Sequence, residues 1–417
     1  MMKVRFMEEK AIMMHKRLSL RVVSFMFFCL LFVACSTPQP TLAPEPTSTS
    51  VPTHTPEPVT PTQTDTPVPV NTTGQLIKEM IPAPSLENNL LGVSPERQIA
   101  VYLPPSYEAS GKNYPVVYFL TGYGANINAF TNGGFQGFWL QDAMDQFIGD
   151  GSIKEMIVVV SDGQHPLGGS FYTNSPVTGN WEDFIVNDVV GYVDSHYRTI
   201  PNVESRGIAG HSMGGYGALN LAMLHPDVFG AVYSMSPGFF DPDGLSNSQM
   251  FKNQSAIDQF LGLESDLAAL FREEAHNAFI SMRLGGDLEF TVNYGMAFSP
   301  DIDKNAPYID YPYHQEGDQL VLDEEIWKLW EAGYGGVDEE IQLYHDNLLS
   351  LEAIAMDWGT LDEYTWIPEG CEYYSEKLTE AGIPHEVDTF DGGHIDQVRI
   401  RVEQYMLPFF SDILVFE

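Results

Sequence analysis

Short, uninterrupted apolar runs are what most restrict how this chain can fold. "YPVVYFL" (114–120) and "MIVVVSDG" (156–163) show no polar alternation, so both faces of each strand must be buried. "RQIAVYLPPSY" (97–107) begins as a strand and stops at Pro104-Pro105. "RGIAGHS" (206–212), "FGAVYSMSP", "LEAIAMDWG" and "PHEVDTF" continue the series. Helical segments fall between them. "WEDFIVNDVVGYVDSHY" (181–197) sets Ile185, Val189 and Val193 on one helical face. "MGGYGALNLAMLHPD" and "CEYYSEKLTEAG" are further helices, and another begins near Gln397. Strands alternating with helices predict an α/β fold, with a mostly parallel central sheet covered by helices on both faces.

One interval breaks this rhythm. The strand near Val232 and the strand near Ile354 are separated by a long stretch with its own helical periodicity and an aromatic loop, "APYIDYPYH". So long a stretch is an insertion and not a connection. It predicts a largely helical cap at about 243–350. Tyr308, Tyr311 and Tyr313 are expected to pack the core or the lid, the competing reading being that they stack on a sugar or phenolic ring.

The first 75 residues are of another kind. Lys16, Arg17 and Arg21 precede the apolar run Val22 to Ala34, which is too short to cross a bilayer comfortably. This is the anatomy of a secretory signal. "LFVAC" resembles a bacterial lipobox, which makes Cys35 the lipidated residue. The Thr/Pro/Ser-rich stretch that follows cannot bury a core and reads as a disordered stalk. The expected organisation is a lipoprotein-type signal at 1–34, lipidated Cys35 and stalk over 35–75, and a globular domain with its cap over 76–417. A net charge of -37 repels polyanions and argues against nucleic acid as a partner. Cys371 is the only cysteine of the globular part, so no intradomain disulfide and no zinc-type Cys/His spacing is expected.

"GHSMGG" (210–215) falls between a strand and a helix. A serine on such a turn projects its hydroxyl beyond the carboxyl end of the sheet, provided that glycines flank it. Ser212 is therefore the candidate nucleophile. It needs a base, and the base needs an acid. His394 in "FDGGHID" follows the last strand, as the order Ser, acid, His requires. His165, His211 and His385 are worse placed. "MDWGTLDEYTW" offers Asp357, Asp362 and Glu363 as the acid. Asp357 ends a strand, whereas Asp362 lies in the loop past Gly359. The backbone N–H groups of Met213 and Tyr123 are the candidate oxyanion donors, with Gly122 in "TGYG" allowing close approach.

The blocks "VYLPPSY", "YFLTGYG", "FYTNSPVTGNWEDF", "YRTI", "SRGIAGHSMGGYGAL" and "FDGGH" resemble the putative esterase family of α/β-hydrolases. That family includes feruloyl esterases, S-formylglutathione hydrolases, enterochelin esterases and antigen 85 mycolyltransferases. The resemblance covers roughly residues 90–240 and 350–415. It implies the α/β-hydrolase fold, Ser212 as nucleophile, His394 as base, Asp362 as acid, and Tyr123 and Met213 as oxyanion donors. Thr121 stands where many relatives carry histidine, and the cap is longer than in the compact feruloyl esterases. Asn174, Asn180 and Trp181 are candidate substrate contacts, the competing reading being a loop packed beside the elbow.

The expected function is an extracytoplasmic serine esterase, lipid-anchored at a bacterial surface or in the periplasm, or secreted if the signal is cleaved near Ala34 and Cys35 stays free, needing no metal or cofactor. The substrate would be a small-molecule or polysaccharide-linked ester, with feruloyl or acetyl esters of plant polysaccharide first. Acyl transfer of the mycolyltransferase type and a non-catalytic carbohydrate-binding lipoprotein are the alternatives.

Overall fold

The computed structural model of the protein describes residues 72–417. The signal segment, Cys35 and nearly all of the Thr/Pro-rich stretch lie outside the described residues. Eight strands form one sheet: β1 (Gln75–Pro82), β2 (Glu96–Leu103), β3 (Val116–Leu120), β4 (Ile157–Ser161), β5 (Arg206–His211), β6 (Ala231–Met235), β7 (Ala353–Gly359) and β8 (Glu386–Phe390). Their order is β1-β2-β4-β3-β5-β6-β7-β8. β2 pairs antiparallel with β1 and β4, and every other neighbouring pair is parallel. This is the mostly parallel sheet that the alternation of runs predicts, and it agrees with the α/β-hydrolase fold that the resemblance implies.

The apolar runs are continuous because each face of the sheet is covered. Val116, Tyr118 and Leu120 point into one core and Val117 and Phe119 into the other, and all five are buried. Burial of each such side chain stabilises the fold by roughly 1.5–3 kcal/mol. One face is covered by the helix Met213–Leu224 and by a helical run from Trp181 to His196, whose middle, Phe184–Val189, is π-helical. The other is covered by Leu140–Gly149 and the C-terminal helix Leu407–Ile413.

Register sets where a site can form. Leu120 lies beside Gly210, His211 beside Met235, and Met235 beside Asp357. The carboxyl ends of β3, β5, β6 and β7 therefore line up along one edge, where open α/β sheets bind ligands.

β6 and β7 are neighbours in the sheet, yet the whole cap is inserted between them. The cap holds the helices Gln254–Ala268, Arg272–Ile280, Gly286–Phe298, Glu324–Gly335 and Val337–Leu343, and a hairpin of Tyr313–Glu316 with Gln319–Leu322. Asn253 and Asp323 start two of these helices by accepting their first free N–H groups. Tyr308 and Tyr311 are buried, with Tyr311 stacked on Phe260 at 3.8 Å, so these rings pack the cap. Tyr294 meets Trp330, Tyr334 and Phe298 in the cap and Phe171 in the sheet domain. The cap and one face of the sheet thus share a single core.

Candidate active site

Ser212 occupies the turn between β5 and the helix Met213–Leu224, with φ 59° and ψ −120°. Few non-glycine residues adopt this conformation, and the surroundings must enforce it. The glycines make the turn possible. A Cβ on Gly210 would lie 2.1 Å from the Gly214 carbonyl oxygen, and one on Gly214 would lie 2.1 Å from that of Leu120. The Ser212 N–H donates to the Met235 carbonyl at 2.8 Å, which ties the turn to β6.

His394 reaches the serine from the loop after β8. Its Nε2 lies 2.8 Å from Ser212 Oγ, and its Nδ1 lies 2.7 Å from Asp362 Oδ2. A carboxylate accepts only, so Nδ1 carries the proton and Nε2 accepts from the serine hydroxyl. Asp362 is buried, and its Oδ1 accepts the Tyr364 N–H at 2.8 Å. The acid and base loops touch through backbone. The Leu361 N–H donates to the Gly392 carbonyl at 3.0 Å, and a Cβ on Gly359 would lie 2.3 Å from that same oxygen.

The other candidates have different partners. Asp357 is fully buried and faces the opposite core, where its Oδ2 accepts from Tyr233 Oη at 2.6 Å and Arg401 Nε at 2.9 Å. Burial pushes its carboxyl up to about 6. Glu363 accepts the backbone N–H of His394 at 3.0 Å, which holds its carboxyl below the ordinary range and steadies the base loop. His211 donates from Nε2 to the His394 carbonyl at 2.9 Å. Burial and the neighbouring His394 push His211 down to about 3, so it stays neutral. His165 is buried and likewise pushed down to about 3, and His385 bonds to Ser375.

The loop after β3 passes close to the elbow. A Cβ on Gly122 would lie 3.1 Å from the His211 carbonyl oxygen and 3.3 Å from Ser212 Cβ. Among the described residues no acceptor takes the backbone N–H of Tyr123 or Met213. Tyr123 extends its side chain towards the cap, where its hydroxyl accepts from Asn293 Nδ2 at 2.9 Å.

A small cleft of about 120 Å³ opens over Ser212 and His394. Tyr123, Phe290, Tyr334, Tyr364 and Trp366 give it aromatic walls, and Gln249 adds an amide. Asn174, Asn180 and Trp181, the expected substrate contacts, are not among its walls. Trp181 is fully buried, donates to the Thr178 carbonyl at 3.0 Å and lies under the Arg97 guanidinium. Asn174 and Asn180 are exposed and pair with each other in a small hairpin. The loop that carries them packs beside the elbow instead. Its Tyr172 donates to the Thr121 carbonyl at 2.8 Å and lies against Gly217. Sequence reasoning missed Gln249, Phe290 and Tyr334 because they come from the cap, and Trp366 because its helix carries no motif.

A family model described as "Putative esterase" matches residues 93–279. Esterases of two strains of Mycobacterium tuberculosis are 24% identical over 306 residues, covering 71% of this chain and 52% of theirs. The chain therefore spans about half the length of the curated relatives it matches. Among solved structures, a ferulic acid esterase superposes with a TM-score of 0.53 at 22% identity, covering 82% of this chain and 99% of its own. An S-formylglutathione hydrolase from Agrobacterium tumefaciens gives 0.50 at 14% identity, covering 82% and 97%. Both share the fold described above.

Proposed function

Taking the chain as an α/β-hydrolase of the putative esterase family, we propose that it is a serine carboxylic-ester hydrolase. One observation carries this reading: the hydrogen-bond line from Asp362 through His394 to Ser212, at 2.7 and 2.8 Å, on a turn held at positive φ. Ser212 Oγ attacks the ester carbonyl while His394 Nε2 takes its proton. Asp362 holds the resulting imidazolium in place. The negative charge on the carbonyl oxygen meets the N–H groups of Met213 and Tyr123, each worth about 3 kcal/mol in such a role. His394 then protonates the departing alcohol, leaving an acyl-serine. Water, activated by the same histidine, releases the acid and restores the hydroxyl.

The basic start, apolar run and Cys35 of the leader support an extracytoplasmic, lipid-anchored enzyme. The stalk and the compact aromatic cleft favour a ring-bearing ester displayed on a polymer, such as a feruloyl or acetylated plant polysaccharide, over a cytosolic thioester. A fluorophosphonate probe should label the purified protein once, and Ser212→Ala should abolish labelling and lower kcat on short aryl esters by roughly 10⁶-fold. An unlabelled wild-type protein that cleaves no aryl ester would end the enzyme reading.

A further inference from the structure

Gln249 belongs to the cap, lines the cleft beside Ser212 and His394, and is only 6% exposed. Its Oε1 accepts the Trp366 indole N–H at 3.0 Å. An indole nitrogen donates and never accepts, so the amide has to present its oxygen to Trp366. Its NH₂ group is thereby turned the other way. Among the described residues no acceptor takes that NH₂, and it is not one of the buried polar atoms sealed away from solvent. The cleft is the space in which it can find a partner. Trp366 is itself immobilised, being 5% exposed and packed edge-on against Phe240 at 4.9 Å. The donor therefore holds one orientation before any substrate arrives.

We infer that Gln249 is a substrate-binding residue whose side-chain N–H recognises an oxygen acceptor on the substrate. The ligand class is a compact, ring-bearing ester with a ring hydroxyl, ether or carbonyl oxygen. Tyr364, Trp366, Phe290 and Tyr334 take the faces of the ring, and the amide takes its oxygen. The cleft is small, about 120 Å³, which restricts it to a compact group such as a single ring. An all-carbon isostere is disfavoured because it leaves the amide donor without a partner when it displaces water. The inference rests on the serine-esterase reading and adds to it that the cap selects the substrate.

The test uses two matched pairs in which a ring oxygen replaces a methylene. On the acyl side these are p-nitrophenyl esters of tetrahydropyran-4-carboxylate and cyclohexanecarboxylate. On the alcohol side they are tetrahydropyran-4-yl and cyclohexyl acetate. kcat/KM is measured for the wild type, Gln249→Met and Gln249→Glu. In at least one pair the wild type should favour the oxygen-containing member by about tenfold more than Gln249→Met does. Gln249→Glu keeps an acceptor for Trp366 but loses the donor, so it should disfavour that member. Equal losses on all four esters, or unchanged ratios in both variants, would overturn the inference and leave Gln249 as a prop for Trp366. Fluorophosphonate labelling of each variant separates these outcomes from failure of the esterase reading, in which the wild type is not labelled either.

Discussion

Asp357 and Asp362 lie within one short segment, and β-strand geometry alone sends their side chains to different places. Asp357 is the last-but-two residue of β7, where alternation turns it to the core opposite the helix of the elbow. Asp362 lies past Gly359, where the chain has left the strand and crosses to the histidine loop. That distinction was half legible in the sequence, since Gly359 marks the exit from the strand. The ion pair of Asp357 with Arg401 was not, because Arg401 is far along the chain on the helix that starts near Gln397, and nothing in the sequence pairs the two. Two substitutions separate the roles. Asp362→Asn should lower kcat by roughly 10⁴-fold with little change in melting temperature, as loss of the orienting carboxylate does in serine hydrolases. Asp357→Asn should keep kcat near the wild-type value and cost roughly 2–3 kcal/mol in urea unfolding, because it weakens a buried ion pair. The opposite pattern would exchange the assignments. The glycine spacing around Ser212 was legible for a simpler reason: each glycine removes a specific clash with backbone, and backbone does not move aside.

Elements were easiest to read where burial is two-sided. β3, β4, β5 and β6 each contain nothing but buried residues, so their runs carry no competing pattern. β1 was not foreseen. Its sequence, QLIKEMIP, is an edge strand half-buried through its middle and follows neither a two-residue nor a helical period. The hairpins of Gln164–His165 with Gly168–Gly169 and Asn174–Ser175 with Gly179–Asn180 are too short to leave any periodicity. In the cap, the helix Val337–Leu343 carries a titration that can be followed. Burial and the neighbouring Glu339 push the Glu340 carboxyl from 4.5 up to about 7. The folded state then holds this proton more tightly than the unfolded chain. Stability is therefore lost as pH rises from 4.5 through about 7. Glu340→Gln should melt at the wild-type temperature at pH 4.5 and roughly a few degrees above it at pH 8. Equal melting temperatures at both pH values would show that this carboxyl ionises freely in the fold.

At the scale of the molecule, the described residues 72–417 belong to one compact unit, and the cap shares its core with one face of the sheet. Recognising an insertion from its length was possible, but not that it would be sewn into the sheet domain by rings such as Phe171 and Tyr294. Because no separate core exists for the cap, it should not unfold alone. Trp327 and Trp330 report on the cap and Trp181 and Trp358 on the sheet domain, so tryptophan fluorescence and far-ultraviolet circular dichroism should give one coincident urea transition. A fluorescence change ahead of the loss of secondary structure would mean that the cap is an independent unit. The pairing of β6 with β7 across the whole cap has a further consequence, in the order of assembly. Ser212 and His394 are separated by 182 positions of chain, and the acid and base both follow β7. A chain emerging from the ribosome can form its elbow long before His394, the proposed base, has been made, and pairings this distant in sequence form slowly. On the proposed mechanism, hydrolytic activity arises only when the last two strands dock, so the appearance of turnover during refolding should time the closing of the sheet.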